Sequence, residues 1–558
     1  MPRVPVYMTL DEAHRARMFP VLSEKEIARV AEHGTTRTVT AGEVLVSPGQ
    51  PADRLFLVLS GRLEVINTYA DPESIVASYT RGMFSGDVNL LSGRPSLVQI
   101  EVMEPGEVIE VPREELRALV QSDAELSEIF MKAYILRRIE LRDRKLGDVV
   151  LFGSAHCRGT LRIREFLDRN GHPYRYVDLD RDDSMQTTLD RFHVTEEEIP
   201  VLLHQGATML RNPSNQEIAT TLGFNTAIDE MHVRDCVIVG AGPAGLAAAV
   251  YAASEGLDVL VIETVAPGGQ AGSSSRIENY LGFPMGITGQ ELAGRAHTQA
   301  QKFGAEIMIA RNAVGLSCDR KPYAITMEDG RRIPARTIII ATGAEYRKLS
   351  LDNLAQFEGA GVYYGATHTE AQVCKGEEIV IVGGGNSAGQ AAVYLASHAR
   401  RVHLMVRGPG LQDTMSRYLI RRIETHPGIE YHTNTELTAL NGNGHLESVV
   451  WKCNESGEVG ACDCRHVFVM AGAVPSTNWL DSCLTLDGKG FIKTGADLTP
   501  EDLTAAEWPH ERSPFLMETS LPGVFAVGDV RCGSVKRVAS AVGEGAIAVA
   551  FVHQALKD

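Results

Sequence analysis

The chain has 558 residues, of which 44% are apolar and 22% charged, so it can bury the cores of several domains. Its formal net charge of −17 argues against DNA binding, because neutralising phosphates requires clustered Lys and Arg. No apolar run is long enough to span a membrane, the amino terminus lacks a signal-peptide pattern, and nine cysteines are too few for a secreted disulfide scaffold. We therefore expect a cytoplasmic multidomain protein that binds neither DNA nor membrane.

Residues 1–147 predict an antiparallel β-roll with a trailing helix. Short alternating strands between Gly and Pro turns, as in GEVLVSPGQPADRLFLVLSGRLEV, indicate the roll. A helical stretch over residues 113–146 follows without a helix-turn-helix unit, so a transcription factor is not expected.

This part resembles the cyclic-nucleotide-binding domain, on the segment just quoted and on SGDVNLLSGRPSL. The resemblance implies a Glu on the ribose 2′-hydroxyl and an Arg on the cyclic phosphate. Here Asp87 follows Gly86, and Ser96 stands where the Arg would be. Arg94, two residues away, is the alternative phosphate partner. The four residues form the predicted pocket for a nucleotide-like ligand, although an ordinary cyclic mononucleotide is not favoured.

Residues 148–230 predict a small α/β domain. The pattern gives a strand at 149–152, an amphipathic helix at 161–170, a strand at 174–179, and a last strand entered through Ile199-Pro200. This order resembles the thioredoxin and glutaredoxin fold, in which a cysteine loop opens the first helix opposite a cis-proline.

The loop in question reads Cys157-Arg158-Gly159-Thr160, so a threonine replaces the resolving cysteine. A thiolate at Cys157 would be stabilised by the helix N-terminus and by the positive charge of Arg158. Two interpretations stay open. Cys157 carries out monothiol chemistry, such as a glutathione mixed disulfide, or the domain serves docking or dimerisation and its cysteine is incidental.

The segment from residue 235, DCVIVGAGPAGLAAAVYAASEGLDVLVIE, predicts a dinucleotide site. A strand runs into Gly240-x-Gly242-x-x-Gly245 and a helix, and a second strand ends at Glu263, 23 residues after Gly240. Such a loop lets the backbone approach a pyrophosphate at the helix N-terminus, and the acid accepts hydrogen bonds from a ribose diol. We expect the adenosine half of FAD here.

The pattern repeats in EIVIVGGGNSAGQAAVYLASHARRVHLMVR. The second strand is expected to end at Arg407, 24 residues after Gly383, where an Arg can pair with a 2′-phosphate. This favours NADPH, with NADH and a merely solvated Arg407 as the alternatives. The predicted contacts are Gly383, Gly385, Asn386, Ser387, Ala388 and Arg407.

Three further segments, PGGQAGSSSRIENYLGFP, TIIIATGA and LPGVFAVGDVRCGSVKRVASAVGEGAIAVAFVHQAL, complete a resemblance over essentially all of 235–558 to the low-molecular-weight thioredoxin reductases. The resemblance implies a homodimer and an FAD domain in two parts, 233–352 and 475–558, with an NAD(P)H domain, 353–474, inserted between them. It implies further FAD contacts from Gly268, Gly269, Gln270, Asn279, Ala341, Thr342, Gly343, Asp529, Lys536, Arg537 and Val538.

The redox CxxC of that family is missing. The corresponding stretch reads GVYYGATHTEAQVCKGEE, and the cysteine pair falls on Ala366 and Thr369, with Thr367 and His368 between them. Neither residue can form a disulfide, so thiol–disulfide exchange by the family's route is excluded there. Hydride transfer from nicotinamide to flavin needs no cysteine. Cys374 is interpreted as a packed residue rather than a substitute nucleophile.

The other cysteines carry little signal. Cys462 and Cys464 form a C-x-C with no second pair at zinc spacing, so no metal site is expected. Cys236 and Cys318 are interpreted as buried residues, and Cys532 as a turn residue near the flavin.

The sequence thus predicts a multidomain α/β protein: an N-terminal β-roll, a thioredoxin-like domain and two nested Rossmann-like domains for FAD and NAD(P). We expect an FAD-dependent oxidoreductase that passes hydride from NADPH to FAD and then to an unknown acceptor: a protein thiol or disulfide such as Cys157, a quinone, or dioxygen. The alternative is a non-catalytic flavin- and NADPH-binding sensor regulated through the β-roll.

Overall fold

The computed structural model describes the chain except for residues 1–6, 8–10, 70–73, 181–194, 196–197, 226–228, 275, 359, 367 and 481–482. Its first part holds two antiparallel sheets of order β1-β7-β3 and β2-β6-β4-β5, whose side chains share one apolar core. The strands are β1 (Thr35–Val39), β2 (Val44–Val46), β3 (Arg54–Val58), β4 (Arg62–Asn67), β5 (Ser74–Tyr79), β6 (Gln99–Glu104) and β7 (Gly106–Pro112). The helices are α1 (Glu12–Met18), α2 (Glu24–Ala31), α3 (Val88–Ser92), α4 (Arg113–Ser122) and α5 (Ala124–Asp143).

The prediction of a single helical stretch over 113–146 is wrong in one respect, because the helix is interrupted at Asp123. The backbone of Asp123 is extended, and its side chain accepts the N–H groups of Glu125 and Leu126. Asp is a preferred N-cap, so the residue ends α4 and starts α5. The break lets α4 and α5 pack against each other in the core beside the roll.

The second part is a four-stranded sheet of order β11-β10-β8-β9. Strands β8 and β9 are parallel, and the other two pairs are antiparallel. The peptide bond Ile199-Pro200, just before β10, is cis. The elements are β8 (Val149–Gly153), α6 (Arg158–Arg169), β9 (Tyr174–Asp178), β10 (Val201–His204), β11 (Thr208–Arg211) and α7 (Asn215–Thr221).

A seven-stranded sheet of order β14-β13-β12-β17-β16-β15, with β28 beside β17, forms the centre of the third part. Strands β12, β13, β14, β17 and β28 run parallel, and their apolar residues are buried on both faces. The strands are β12 (Arg234–Val239), β13 (Val259–Glu263), β14 (Glu306–Ile309), β15 (Ala313–Ser317), β16 (Tyr323–Met327), β17 (Arg332–Ile340) and β28 (Val524–Ala526). The helices are α8 (Pro243–Ser254), α9 (Gly269–Gly272) and α10 (Gly289–Lys302).

The chain between β17 and β28 forms a separate five-stranded parallel sheet of order β19-β26-β20-β21-β22 and a three-stranded antiparallel sheet β23-β24-β25. It leaves and returns through a two-stranded ribbon of β18 and β27. The strands are β18 (Ala344–Tyr346), β19 (Val362–Tyr363), β20 (Glu378–Val382), β21 (Arg401–Met405), β22 (Ile429–His432), β23 (Thr435–Gly442), β24 (Leu446–Cys453), β25 (Val459–Asp463), β26 (His466–Val469) and β27 (Ala473–Pro475). The helices beside these sheets are α11 (Leu354–Phe357), α12 (His368–Val373), α13 (Asn386–Leu395) and α14 (Arg417–Thr425). After the ribbon, α15 (Pro500–Ala505) precedes β28 and α16 (Val538–Ala555) follows it.

Helix α16 packs along α8 on one face of the seven-stranded sheet. The two helices are so close that a side chain on Gly545 would lie 2.1 Å from the Ala244 carbonyl oxygen. Among the described residues α16 is the helix whose length and composition would also suit a membrane span. Its face with Ala541, Ala548 and Val552 is buried in the core.

Candidate functional site

The carboxyl ends of β12, β13, β17 and β28 meet at one edge of the seven-stranded sheet. Open parallel sheets bind ligands at this edge, where loops leave the strands for the helices. The loop after β12 leads into α8, and the turn after β28 holds Gly528 and Asp529. The sheet topology therefore brings together predicted residues that are almost 300 positions apart in the sequence.

The first glycine loop is shaped by close backbone contacts. Gly240 has φ 104°, and a side chain there would lie 2.4 Å from the Ala341 carbonyl oxygen. A side chain on Gly245 would lie 1.9 Å from the Gly240 carbonyl oxygen, so α8 can pack onto the loop only with glycine at this position. Gly242 differs, because the nearest atom to its added Cβ is Gly269 Cα at 3.9 Å. The space left at the helix N-terminus fits a pyrophosphate, whose oxygens can accept the free N–H groups.

Glu263 is buried at the end of β13, beside this loop. Its carboxylate accepts the N–H groups of Ala241 at 2.7 Å, Val265 at 2.9 Å and Ala266 at 3.2 Å. The Thr264 hydroxyl also donates to Oε1 at 3.4 Å, whereas Oε2 accepts only the Ala241 N–H among the described residues, so Oε2 can still accept from a ribose hydroxyl. The donor set of the loop and the acceptor at Glu263 fit an adenosine diphosphate group.

The opposite wall is the segment that starts at Gly268 and forms α9. Gln270 donates from its side-chain amide to the Ala344 carbonyl oxygen, which ties the segment to the end of the β17 loop. Thr342 donates its hydroxyl to the Ser476 carbonyl oxygen at 2.9 Å. Asn279 is exposed, and Gly343 has φ 66° with open space beside it. Gln270 and the Thr342–Gly343 turn thus lie where the two chain segments meet.

The turn after β28 is held by a residue that sequence reasoning missed. Glu544, on α16, accepts the Gly528 N–H at 2.7 Å and pairs with Arg531 at 2.7 Å. Asp529 is largely buried, which raises the pKa of its carboxyl against the opposing charge of Lys536. The ammonium of Lys536 donates to the Asp529 backbone oxygen at 2.6 Å. Glu544 carries no motif, because its partner is a backbone N–H sixteen residues earlier.

Arg537 and Val538 begin the last helix. Arg537 is its extended N-cap residue and is exposed, and Val538 is its half-buried first residue. Their backbone lies next to the Asp529 turn through Lys536.

The second glycine loop follows β20 and opens α13. Gly383 packs against the Met470 carbonyl oxygen as Gly240 packs against Ala341, with 2.4 Å to an added Cβ. Asn386 accepts the Ser416 N–H at 2.7 Å. Gly385 faces open space, with the Thr414 carbonyl oxygen 3.8 Å from an added Cβ. The loop thus also leaves room for a nucleotide phosphate.

The other predicted contacts of this loop differ in exposure. Ser387 is exposed and Ala388 is fully buried beneath the helix. The expectation that the strand ends at Arg407 is wrong, because β21 ends at Met405. Arg407 lies two residues beyond it and is exposed, because the chain has already turned away from the sheet.

The segment in place of the redox cysteines is only partly described. Ala366 is buried, whereas Thr367 and the side chains of His368 and Thr369 lie outside the described part. Cys374 is fully buried, and burial raises the pKa of its thiol to about 11. A thiol held protonated at neutral pH is a poor nucleophile, which agrees with a packed cysteine.

Cys157 is the N-cap residue of α6 and is half-buried. Thr160 is fully buried behind it, and its hydroxyl has no partner. Pro200 lies against the same loop, since an added Cβ on Gly159 would be 2.7 Å from Pro200 Cδ. At the other end of the helix Arg169 donates to the Gly269 carbonyl oxygen at 2.8 Å.

The β-roll encloses a cavity of about 410 Å³. Three of the four predicted residues, Gly86, Asp87 and Ser96, line it. Arg94 does not, which corrects its predicted role: its guanidinium stacks on Phe224 of the second part, 4.6 Å from the ring centre. The Arg94 side chain turns toward the neighbouring domain, and the local sequence motif carries no information about that contact.

The buried cation of the β-roll cavity is Arg137, from α5, whereas Arg37 and Arg54, which also line the cavity, are half-buried and exposed. Its guanidinium donates to the Met18 and Gly86 carbonyl oxygens at 3.0 and 2.8 Å, and its Nη2 has no partner. Sequence reasoning missed this residue because it lies 51 positions from Gly86. Asp87 caps α3 by accepting the Asn89 N–H at 2.9 Å.

Two cysteine interpretations have different outcomes. Cys236 is fully buried, as expected. The interpretation of Cys318 as a buried residue is wrong, since it is half-buried and forms a disulfide with Cys483, with 6.1 Å between their Cα atoms. The pair is 165 residues apart and is joined only where the turn with Cys483 packs on the end of β15.

The remaining thiols have local partners. Cys464 is buried and contacts Cys462 and the His466 carbonyl oxygen, and Cys532 lies 3.5 Å from an Asp487 carboxylate oxygen.

Comparison with known families gives two matches. Residues 234–545 match the pyridine nucleotide-disulphide oxidoreductase family, and residues 36–123 match the cyclic nucleotide-binding domain.

Individual relatives agree with the first match. The chain is 32% identical over 324 residues to the thioredoxin reductase of Ureaplasma parvum, covering 58% of this chain and 96% of the relative. It is 30% identical over 362 residues to NADPH-dependent thioredoxin reductase 3 of Arabidopsis thaliana, covering 62% of this chain and 64% of the relative. The solved structure of Lactococcus lactis thioredoxin reductase is similar at 30% identity and a TM-score of 0.52, covering 58% of this chain and 99% of that one.

Proposed function

Because the chain belongs to the pyridine nucleotide-disulphide oxidoreductase family, we propose that it is an FAD-dependent NADPH oxidoreductase that reduces an acceptor other than an internal dithiol. The observation that carries this proposal is the pair of glycine loops, each opening a helix at the carboxyl edge of its own parallel sheet. When bound, FAD supplies the capacity to accept hydride from NADPH and to pass electrons onward.

The residues divide the work of binding. The N–H groups at the start of α8 would hold the FAD pyrophosphate, and the Glu263 carboxylate would accept from the ribose. Asp529, kept in place by the Glu544–Gly528 hydrogen bond, would face the ribityl chain. The loop at Gly385 and the Arg407 guanidinium would hold NADPH and its 2′-phosphate.

The acceptor is proposed to lie outside the family's usual route, because Ala366 and Thr369 cannot form a disulfide. Protein thiols or disulfides, a quinone and dioxygen remain the candidate acceptors, with Cys157 as the candidate internal thiol.

We propose five segments for the chain: 1–147, 148–230, 233–352, 353–474 and 475–558. The separate sheets and the β18–β27 ribbon support an NAD(P)H domain nested within an FAD domain. The cis Ile199-Pro200 bond beside the Cys157 loop supports a thioredoxin-like fold for the second segment. A cytoplasmic homodimer is proposed from the family resemblance.

The test is an anaerobic titration of the FAD-loaded protein with NADPH, following flavin absorbance. We expect the flavin to bleach with one equivalent of NADPH per FAD, since the Ala366–Thr369 segment holds no dithiol to take further electrons and the Cys318–Cys483 disulfide stays oxidised. Consumption beyond one equivalent would indicate a second redox centre. The absence of bleaching would reject the enzyme and leave the flavin- and NADPH-binding sensor regulated through the β-roll.

A further inference from the structure

A second cavity, of about 240 Å³, lies between the β-roll and the α/β domain that follows it. It is far larger than the roughly 10–15 Å³ needed to hold one water molecule. Its lining includes Arg94 and Arg138 from the roll, and Asp148, His172 and His204 from the second part. None of these residues takes part in the proposed oxidoreductase site.

The two arginines are only partly paired within the described part of the chain. Arg94 is 8% exposed, its Nη2 has no hydrogen-bond acceptor, and its flat face rests on Phe224. Arg138 forms an ion pair with Asp87 at 3.6 Å, but its Nη1 has no hydrogen-bond acceptor among the described residues. Burial and the neighbouring charge of Arg138 lower the pKa of Arg94 to about 9, so Arg94 is charged at neutral pH. A buried guanidinium with an unfilled donor, next to a second arginine, is unfavourable unless an anion satisfies it.

The carboxylate that lines the cavity is already engaged. Asp148 accepts from His172 Nε2 at 3.0 Å and from His204 Nε2 at 2.9 Å. Burial by itself would raise the pKa of Asp148, but these two hydrogen bonds outweigh it and lower that pKa. Asp148 therefore serves the two histidines, and its charge does not provide the acceptors that the arginines lack.

The third part of the chain also reaches this junction. His297, on α10, is half-buried, and its Nε2 has no hydrogen-bond partner among the described residues. Desolvation is the larger cause that lowers its pKa to about 3, and the charges of Arg94 and Arg138 act in the same direction.

We propose that this cavity binds a phosphate group, either inorganic phosphate or the phosphomonoester of a small ligand, between the guanidinium groups of Arg94 and Arg138. Arginine forms paired, charge-assisted hydrogen bonds with phosphate oxygens. The side chains of Asn89, Gln205 and Thr221 also line the cavity and can contact the remaining oxygens. The site is distinct from the β-roll cavity, where Arg137 is the buried cation.

The test measures thermal unfolding and titration calorimetry of the full FAD-loaded chain with potassium phosphate, against potassium chloride at equal ionic strength. Phosphate is expected to raise the unfolding midpoint of the wild type by several degrees. Arg94→Gln and Arg138→Gln are each expected to weaken phosphate affinity about tenfold or more. Arg81→Gln, an exposed arginine of the same module, is the matched control and keeps wild-type affinity.

A second arm uses adenosine monophosphate, to separate the two sources of the phosphate group. Tighter binding than phosphate that is lost in Arg94→Gln would assign a phosphomonoester, and binding of phosphate alone would assign the free ion. If Arg94→Gln does not fold, Arg94→Lys keeps the charge and is expected to lose part of the affinity. The proposal is overturned if the wild type binds neither probe at this site, or if Arg94→Gln and Arg138→Gln bind as the control does.

Discussion

Gly242 and Gly245, in the first glycine loop, should respond differently to substitution by alanine. The first variant should lose FAD affinity and the second should lose stability. Gly242 has φ −70°, which alanine adopts, and its added Cβ would meet nothing nearer than Gly269 Cα at 3.9 Å. Gly242→Ala should therefore change the stability of the FAD-free protein by less than about 1 kcal/mol. The methyl group would occupy the space that the pyrophosphate needs, so we expect FAD affinity to fall at least tenfold, about 1.4 kcal/mol.

Gly245→Ala should act on the fold itself. An alanine in an open helix would stabilise it by about 1 kcal/mol, but here the methyl group would lie 1.9 Å from the Gly240 carbonyl oxygen. Overpacking of this kind costs about 1–3 kcal/mol or more. At about 2–4 °C per kcal/mol for large domains, the unfolding midpoint of the FAD-free variant should fall by several degrees.

The assay combines thermal unfolding of both FAD-free variants with FAD titration followed by flavin fluorescence. Each variant is the control for the other, because both add one methyl group to the same loop. The reasoning is refuted if Gly242→Ala binds FAD within twofold of wild type, or if Gly245→Ala is as stable as wild type.

Two further predictions concern the nucleotide and the thiol. Arg407→Ala should raise KM for NADPH about tenfold and leave KM for NADH unchanged. Arg400→Ala, which changes an exposed arginine of the same module, is the control and should change neither KM. Equal effects of Arg407→Ala on both nucleotides would reject the 2′-phosphate role. Cys157→Ser should leave the rate of anaerobic flavin reduction by NADPH within twofold of wild type, measured by stopped-flow absorbance. A large loss would contradict the separation of this thiol from the FAD loop, by which we mean the segment around Gly269 that forms α9.

The parts that could be predicted are those whose determinants lie close together in the sequence. The Gly240 loop and Glu263 are separated by one helix, so strand, turn, helix and acid appear in register, and the structure brings them together. The cis Ile199-Pro200 bond lies against the Cys157 loop, as the resemblance implies, with Pro200 Cδ 2.7 Å from an added Cβ on Gly159.

The parts that could not be predicted depend on contacts across long sequence distances. Arg137 enters the β-roll cavity from a helix 51 residues after Gly86, and the Cys318–Cys483 disulfide spans 165 residues. Arg94 has the right position for a phosphate partner in the roll, but Phe224 attracts its guanidinium into the neighbouring domain. No local pattern records which way such a side chain turns, because packing between domains decides it.

The contacts of α6 limit what the second part can do for the flavin site. Arg169, at its C-terminal end, donates to the Gly269 carbonyl oxygen, and Gln290 donates to the Asp168 carbonyl oxygen at 2.5 Å. Cys157 lies at the other end, and a helix of 12 residues is roughly 18 Å long. In this arrangement the second part supports the FAD loop with the end of α6 that carries no thiol.

This support also connects the FAD loop with the β-roll. Helix α10 packs against α9 at the FAD loop, and against α3 and α4 of the roll. It also carries His297 into the field of Arg94 and Arg138. An anion bound between those arginines would change the charge facing α10, and α10 is in contact with the loop that holds Gln270. Coupling between the roll and the flavin would then pass through α10, which contacts both the roll and α9, and it would require no thiol exchange.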